Sequence, residues 1–303
     1  MPEPIVGPMR FEARESVRFE PPDLADLTNQ GYACVDMHLH TDHSDANASV
    51  DSLLARARRE GFGVAVTDHN EISGSLRAFA ERRQMVVIPG IEISAADGPH
   101  ILAYFYSIRD LEEFYLKHIE PQKRKSPWLA IRSSTPKIVE ALSAYPCLTV
   151  AAHPYGYLMF NKGLQKCIDG EYLDPGILSS FEGIEVLCGG MAHALNIKAV
   201  ELALNKGKCF TGGTDGHTLH DYGSVVTCAL ASDHEGFLSA LERRENLVIG
   251  EEKDPFMKAL TGTVLVGKHT RYFFPAMQVH FEQNLPRIPH YFERKMRQFQ
   301  GKK

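Results

Sequence analysis

No window of this 303-residue chain approaches the run of about 18 apolar residues that a membrane-spanning helix needs, so no membrane partner is expected. No two cysteines have CxxC spacing. The six stand apart at 34, 147, 167, 188, 209 and 228, several inside apolar, strand-like runs. That argues against a thiolate metal site or a disulfide framework, and for buried free thiols in a reducing cytoplasm. The opening stretch, MPEPIVGPMRFEARESVRFEPPD, has proline and acidic residues but lacks the apolar centre of a secretory signal. Internal repeats and low-complexity tracts are missing too. So is any basic excess: the formal net charge is -5. A generic polyanion binder is thereby excluded, and with no reading motif present, stable duplex DNA binding is not expected. Nothing in the sequence speaks to oligomeric state.

What is there is an alternation. From Tyr32, short apolar runs alternate with amphipathic stretches. YACVDMHLH reads as a strand and VDSLLARARREG as a helix closed by glycine. FGVAVTDHN, MVVIPGIEIS, HILAYFYS, CLTVAAHP, FEGIEVLC, KCFTGGTDGH, SVVTCALA and LVIG follow as strands. Between them ISGSLRAFAERR, TPKIVEALSAYP, MAHALNIKAVELALNKG and HEGFLSALERR read as helices. Such alternation predicts an α/β protein with a mainly parallel sheet and outer helices, closed into a barrel rather than left open. Three segments result: an N-terminal arm (1–30), a barrel domain (31–255) and a C-terminal extension (256–303) packing on or beside the barrel. Within the extension, TVLVGKHTRYFF suggests a hairpin or a strand plus loop, and HYFERKMRQFQGKK a terminal basic helix.

The polar residues gather at strand ends. His38 and His40 are two apart on one strand and therefore point the same way. Alone, HxH fits two surface histidines as well as a metal site. Asp45, just after, adds a hard oxygen donor to the two nitrogens, while His43 is expected to face solvent. TDHN (67–70) ends the next strand; Asp and Asn suit a turn, but a turn does not call for the imidazole of His69. Glu92 sits among isoleucines, where a carboxylate is costly unless paired or bound to a cation. His100 opens a strand and by itself suggests only a strand-edge histidine. His153 closes an apolar strand, and Asp215 and His217 follow another in the glycine-rich GGTDGH, where backbone can approach a ligand closely. Each case alone has a bland explanation. Together they place His, Asp or Glu at the ends of at least five strands, which is where a barrel builds its active site.

These residues resemble the PHP superfamily (polymerase and histidinol phosphatase). DMHLHTDHSDA, TDHN, GIEIS with His100, AHP and GTDGH match its motifs in order over roughly residues 33–220, with GIEV at 183–186 also familiar. The resemblance implies a distorted (β/α)7 barrel holding two or three divalent ions, some mix of Mn, Fe and Zn. It implies His38, His40, Glu92 and Asp215 on one ion, Glu92, His100 and His153 on a second, and Asp45, His69 and His217 on a third. The small stand-alone branch, which includes nucleotide phosphatases and an exonuclease of short RNA, looks most similar. That branch carries a sizeable subdomain between the His100-like and His153-like positions. Here only 52 residues separate them, so the substrate cap is reduced or rebuilt.

The implied activity is metal-dependent hydrolysis of a phosphomonoester or short phosphodiester by a metal-bridging hydroxide. The substrate would be a small phosphorylated molecule or a short oligonucleotide. Asp215, His217 and His69 are the candidates for moving protons. Lys123, Arg124, Lys125, Arg132 and Tyr155, with Lys117 and Trp128 nearby, are candidate substrate contacts, although a solvated loop explains the basic residues as well. Two other readings stay open: a metal-binding module without catalysis, and an amidohydrolase-like hydrolase of a C–N bond. The latter is disfavoured because the bridging role falls to Glu92 and not to a lysine.

Overall fold

The computed structural model describes residues 16–157 and 162–300, with side chains to 297. Part of the expected N-terminal arm, residues 1–15, lies outside the described residues. Ten strands are formed: β1 (Val17–Arg18), β2 (Ala33–Leu39), β3 (Gly63–Val66), β4 (Val87–Ser94), β5 (His100–Phe105), β6 (Cys147–Ala151), β7 (Gly183–Cys188), β8 (Cys209–Gly213), β9 (Val225–Ala229) and β10 (Asn246–Gly250). The longer helices are α1 (Leu24–Asn29), α2 (Val50–Glu60), α3 (Ser73–Ala80), α4 (Ile108–Phe114), α5 (Thr135–Leu142), α6 (Leu164–Asp169), α7 (His193–Lys206), α8 (His234–Glu242), α9 (Pro255–His269), α10 (Phe273–Asn284) and α11 (Arg287–Gln300).

Helix boundaries follow their capping residues. Ser49 caps α2 through Ser52, and Gly61 ends it at φ +83°, a conformation that favours a residue without a Cβ. The inward face of α2 buries Val50, Leu53, Leu54 and Ala57 against the sheet. Each larger side chain contributes about 1.5–3 kcal/mol by leaving water. Strands β3, β4, β7 and β8 are buried along their whole length, which is why they read as continuous apolar runs.

The sheet runs in the order β1-β10-β9-β2-β3-β4-β5-β6-β7-β8. It curls so that β8 returns to β2. The Asp215 N–H donates to the His38 carbonyl at 2.7 Å, and the His40 N–H to the Gly216 carbonyl at 3.0 Å. This approach requires a glycine: a Cβ on Gly213 would lie 2.3 Å from the His38 nitrogen. Strands β2 to β8 thus form the distorted barrel expected from the sequence. The sheet is more mixed than expected. β5 runs antiparallel to both β4 and β6, and β9 antiparallel to β2 and β10. The cause is local: residues 95–99 turn tightly, with Gly98 at φ +118°, and leave no room for a crossover helix.

The C-terminal region differs from the hairpin or strand expected at TVLVGKHTRYFF. Those residues continue α9, pass through a 3-10 turn at Thr270–Tyr272 and enter α10. Pro255 opens α9, the Asp254 side chain accepts from the Met257 N–H at 2.9 Å, and Lys258 Nζ donates to the Met191 carbonyl. Capping and docking outweigh the weak preference of Thr and Val for strands. The basic terminal helix is formed as α11. The outward face of these helices is apolar, with Phe256 75% and Phe274 79% exposed. Among the described residues no helix is long and apolar enough to cross a membrane. All six cysteines are free, and all but Cys147 are buried.

Candidate metal centre

All nine donors singled out in the sequence converge on one end of the barrel. His38 and His40 come from the end of β2, Asp45 from the loop after it, and His69 from the tip after β3. Glu92 comes from β4, His153 follows β6, and Asp215 and His217 follow β8. His100 reaches the same rim from the first residue of β5. Because β5 runs antiparallel to β4, its start lies beside Ser94 at the end of β4.

Glu92 is the hub. Its carboxylate lies 2.8 Å from His100 Nδ1, 3.1 Å from His153 Nε2 and 2.6 Å from His69 Nδ1. Nε2 atoms of His38 and His40 each lie 3.5 Å from it. Asp215 Oδ1 is 3.1 Å from His40 Nε2 and 3.6 Å from His38 Nε2. Asp45 faces His217 Nε2 at 3.5 Å and His69 Nε2 at 3.7 Å. Four groups of donors could each hold an ion: His40, Asp45, His69 and His217; His38, His40 and Asp215; His38, Glu92 and His153; and His69, Glu92 and His100. The grouping differs in detail from the one the family resemblance implies, since His100 pairs with His69 and His38 with His153. His40 also joins the Asp45 group.

The cluster is buried, and its polar atoms are only partly answered by protein. His38 Nε2, His100 Nε2 and His217 Nε2 are buried with no hydrogen-bond partner. Buried polar atoms in that state are costly unless something else satisfies them. A divalent cation bound by imidazole and carboxylate does so, and the donor set fits zinc, manganese or iron. Burial opposes the charge on Glu92, yet His69, His100 and His38 hold its carboxyl well below the usual range. Asp45 behaves likewise: burial opposes its charge, while His69 and His217 hold it low. His40 goes the other way, lowered to about 4 by burial and by the neighbouring His69 and His217. Backbone strain also marks the site. His153 and Asp215 have positive φ, +27° and +47°, a region non-glycine residues seldom occupy.

Several supporting residues carry no sequence expectation. Glu185 on β7 accepts from the His153 N–H at 2.6 Å and lies 2.9 Å from His38 Nδ1. It is a glutamate in an apolar strand, the same signal that marks Glu92. Asp36 accepts from the Thr214 and Gly223 N–H groups at 3.0 Å each and pins β8 to β2. Asp68 accepts from Thr41 and Ser44. Lys253 Nζ donates to the Asp215 carbonyl at 2.8 Å and pairs with Asp221 at 3.3 Å. Tyr157 donates to Asp215.

Three of the candidate substrate contacts are bonded to protein groups. Lys123 pairs with Glu71 at 2.9 Å and bonds Tyr115; Arg124 pairs with Glu282; Arg132 donates to the Lys123 carbonyl at 2.5 Å. Lys125 is exposed and Tyr155 packs against the core. Lys117 is exposed and Trp128 is buried. His43, expected to face solvent, is half-buried beside Ser73, its Nδ1 2.7 Å from the hydroxyl.

A curled α/β barrel with a buried histidine–carboxylate cluster at its strand ends defines a class of metal-centred barrel. Within that class the chain belongs to the PHP domain family, whose model matches residues 36–195. No curated protein matches the sequence. A structure from Bifidobacterium adolescentis, assigned as a metal-dependent phosphoesterase, is 19% identical over 78% of this chain and 99% of its own, with a TM-score of 0.52. A two-domain protein from Bacteroides vulgatus, assigned a PHP-like metal-dependent phosphoesterase, is 19% identical over 77% of this chain and 68% of its own, TM-score 0.53. The lesion-specific endonuclease EndoQ of Pyrococcus furiosus is 14% identical, TM-score 0.56; the match covers 72% of this chain and 57% of EndoQ. At these identities the likeness speaks for the fold. Family membership and the donor cluster together support a metal-dependent hydrolase.

Proposed function

We propose that the protein hydrolyses phosphoesters at this centre, and that the nine residues His38, His40, Asp45, His69, Glu92, His100, His153, Asp215 and His217 hold two or three divalent ions (Mn, Fe or Zn). The carrying observation is the set of buried imidazole nitrogens left without hydrogen-bond partners around the Glu92, Asp45 and Asp215 carboxylates. Such ions, when bound, supply Lewis-acid activation of water and neutralise charge on the phosphoryl oxygens. The chain supplies the rest. Glu92 ties five histidines from four strand ends into one unit, and burial keeps bulk water from competing at its carboxylate. His69, Asp215 and His100 keep the most accessible side chains of the nine, at 11%, 10% and 9%, which puts them on the solvent side of the cluster. Proton transfer to the departing oxygen is assigned to His69, with Asp215 and His217 beside it. The substrate class is a small phosphorylated molecule or a short oligonucleotide. The free thiols agree with a cytoplasmic setting.

One paired assay tests this reading. Mn2+-loaded protein is given a chromogenic phosphomonoester and a matched phosphodiester, with Asp215→Asn as the blank. Turnover of either, falling on the order of 100-fold in the variant while circular dichroism is unchanged, supports it. Metal-loaded protein inert to both esters would leave the cluster as a non-catalytic metal module.

A further inference from the structure

Helices α9 to α11 lie across the barrel end that carries the donors, and two of their polar residues, Gln283 and Arg287, are buried against it. Gln283 Nε2 donates to the Ala95 carbonyl at 3.1 Å, and Arg287 donates to the Asp97 carbonyl. Both acceptors are in the turn between Glu92 and His100. Arg294 donates to the Asp169 carbonyl at 3.0 Å, and Arg297 pairs with Glu171 at 2.5 Å. Apolar residues of the same helices, Phe273, Phe274 and Phe281 among them, point to solvent. The layer therefore sits as a lid held mainly by polar contacts, with Val279 the one buried apolar side chain among its described residues. Few buried apolar contacts and many replaceable polar ones describe an element of low local stability.

One contact reaches deeper. His269, the last residue of α9, places Nε2 3.5 Å from Asp45 Oδ2. Its Nδ1 is buried with no partner, so Asp45 is the group toward which this imidazole is turned. Its ring is seated edge-on against Trp128, with centroids 5.6 Å apart, and Trp128 also meets Tyr272 at 5.5 Å. The Trp128 loop is in turn clamped to the donor layer, because Asn70 Nδ2, beside His69, donates to the Leu129 carbonyl at 2.9 Å. Two paths thus join the lid to the group formed by Asp45, His69 and His217.

We propose that His269 is a positioning residue for the Asp45 carboxylate, and that through it the seating of the C-terminal lid and occupation of the Asp45 site by a divalent ion stabilise each other. The inference rests on reading Asp45 as a metal ligand, and not on what the enzyme hydrolyses. A ligating carboxylate held by an outer hydrogen-bond donor keeps one oxygen free and correctly aimed, and loss of such a donor typically costs 10–100-fold in metal affinity. Linkage makes the effect reciprocal: if the seated lid favours the ion, the ion favours the seated lid by the same factor.

The test uses full-length protein and Mn2+ alone, with two readouts. The first is competitive chelator titration of bound Mn2+ in wild type, His269→Ala and His269→Gln, where glutamine retains a donor near the Nε2 position. The second is limited proteolysis within residues 255–297, with and without Mn2+. The expected result is about tenfold weaker binding of the most labile ion in His269→Ala, with recovery in His269→Gln. Wild-type lid cleavage should slow when Mn2+ is added, and His269→Ala should cleave at the metal-free rate in either condition. Asp45→Asn, made from the barrel side, should release the lid in the same way and guards against a folding artefact in α9. Wild-type affinity in His269→Ala together with metal-independent cleavage would overturn the proposal. Wild type that binds no Mn2+ would overturn the metal-centre reading itself. Absence of phosphoester turnover with these linkages intact would sink only the substrate assignment.

Discussion

Glu185 holds two members of the cluster at once: its carboxylate lies 2.9 Å from His38 Nδ1 and accepts the His153 N–H at 2.6 Å. The first contact fixes which face of the His38 ring points inward, leaving Nε2 toward Glu92 and Asp215. The second restrains a residue whose backbone is already in an unfavourable region at φ +27°. One buried carboxylate therefore couples the first motif of the chain to the fourth.

Glu185→Gln should accordingly weaken metal binding and turnover by about 10–100-fold while the fold persists. Gln is nearly isosteric, so sterics are not the cause; an amide can still accept one of the two bonds but no longer offers a full negative charge. Metal stoichiometry after dialysis, read beside circular dichroism, decides the matter. Full occupancy with normal activity would mean that His38 is oriented by its metal and not by Glu185.

Gly213→Ala tests barrel closure. The added methyl would meet the His38 nitrogen at 2.3 Å and its Cβ at 2.5 Å, and the first of these is backbone that cannot rotate away. Overpacking of this kind costs about 1–3 kcal/mol. Urea denaturation should show that loss, and because the strand pushed aside carries His38, turnover should fall with it. A variant as stable as wild type would mean that β8 and β2 are less tightly joined than described.

Chelator-treated protein should be most stable near neutral pH and lose stability on both sides. Burial opposes charge on His69, but Glu92 and Asp45 raise it to about 9. Its protonated form is favoured by folding, so that stabilisation is complete below the ordinary value near 6.5 and is lost as pH rises through about 9. His100, lowered to about 3 chiefly by burial, and His40, lowered to about 4, act in the opposite sense. Unfolding lets them take up protons below about 6.5, so acid favours the unfolded chain. Glu92 and Asp45 add to the acid loss below about 4, where their unfolded carboxyls protonate. Urea midpoints from pH 4 to 9 would show the arch; a flat profile would contradict this charge arrangement. Bound metal should flatten the acid limb until the ion itself is released.

Most of the nine residues were legible because they stand where an apolar run gives way to a polar residue, and because residues two apart on a strand share a face. Glu92 and Glu185 carry the same signal, a carboxylate among branched apolar residues, yet the familiar GIEV segment gave Glu185 no individual role. His100 was ambiguous for a directional reason: it opens its strand while the others close theirs, and only the reversed course of β5 brings it to the same rim. In α9, the sequence Thr263, Val264, Leu265, Val266 favours a strand locally, and the end cap with the docking of Lys258 overrides it.

The sequence by itself determined most of the strand and helix alternation and which His, Asp and Glu residues stand at strand ends. Periodicity, capping and ligand type are properties of neighbouring residues, so they survive without a fold. The tertiary structure decided how the donors group, that β8 closes on β2, and that His269 at the end of α9 is brought to Asp45. Those contacts join residues far apart in the chain, and their distance depends on how the sheet curls, which no local pattern encodes.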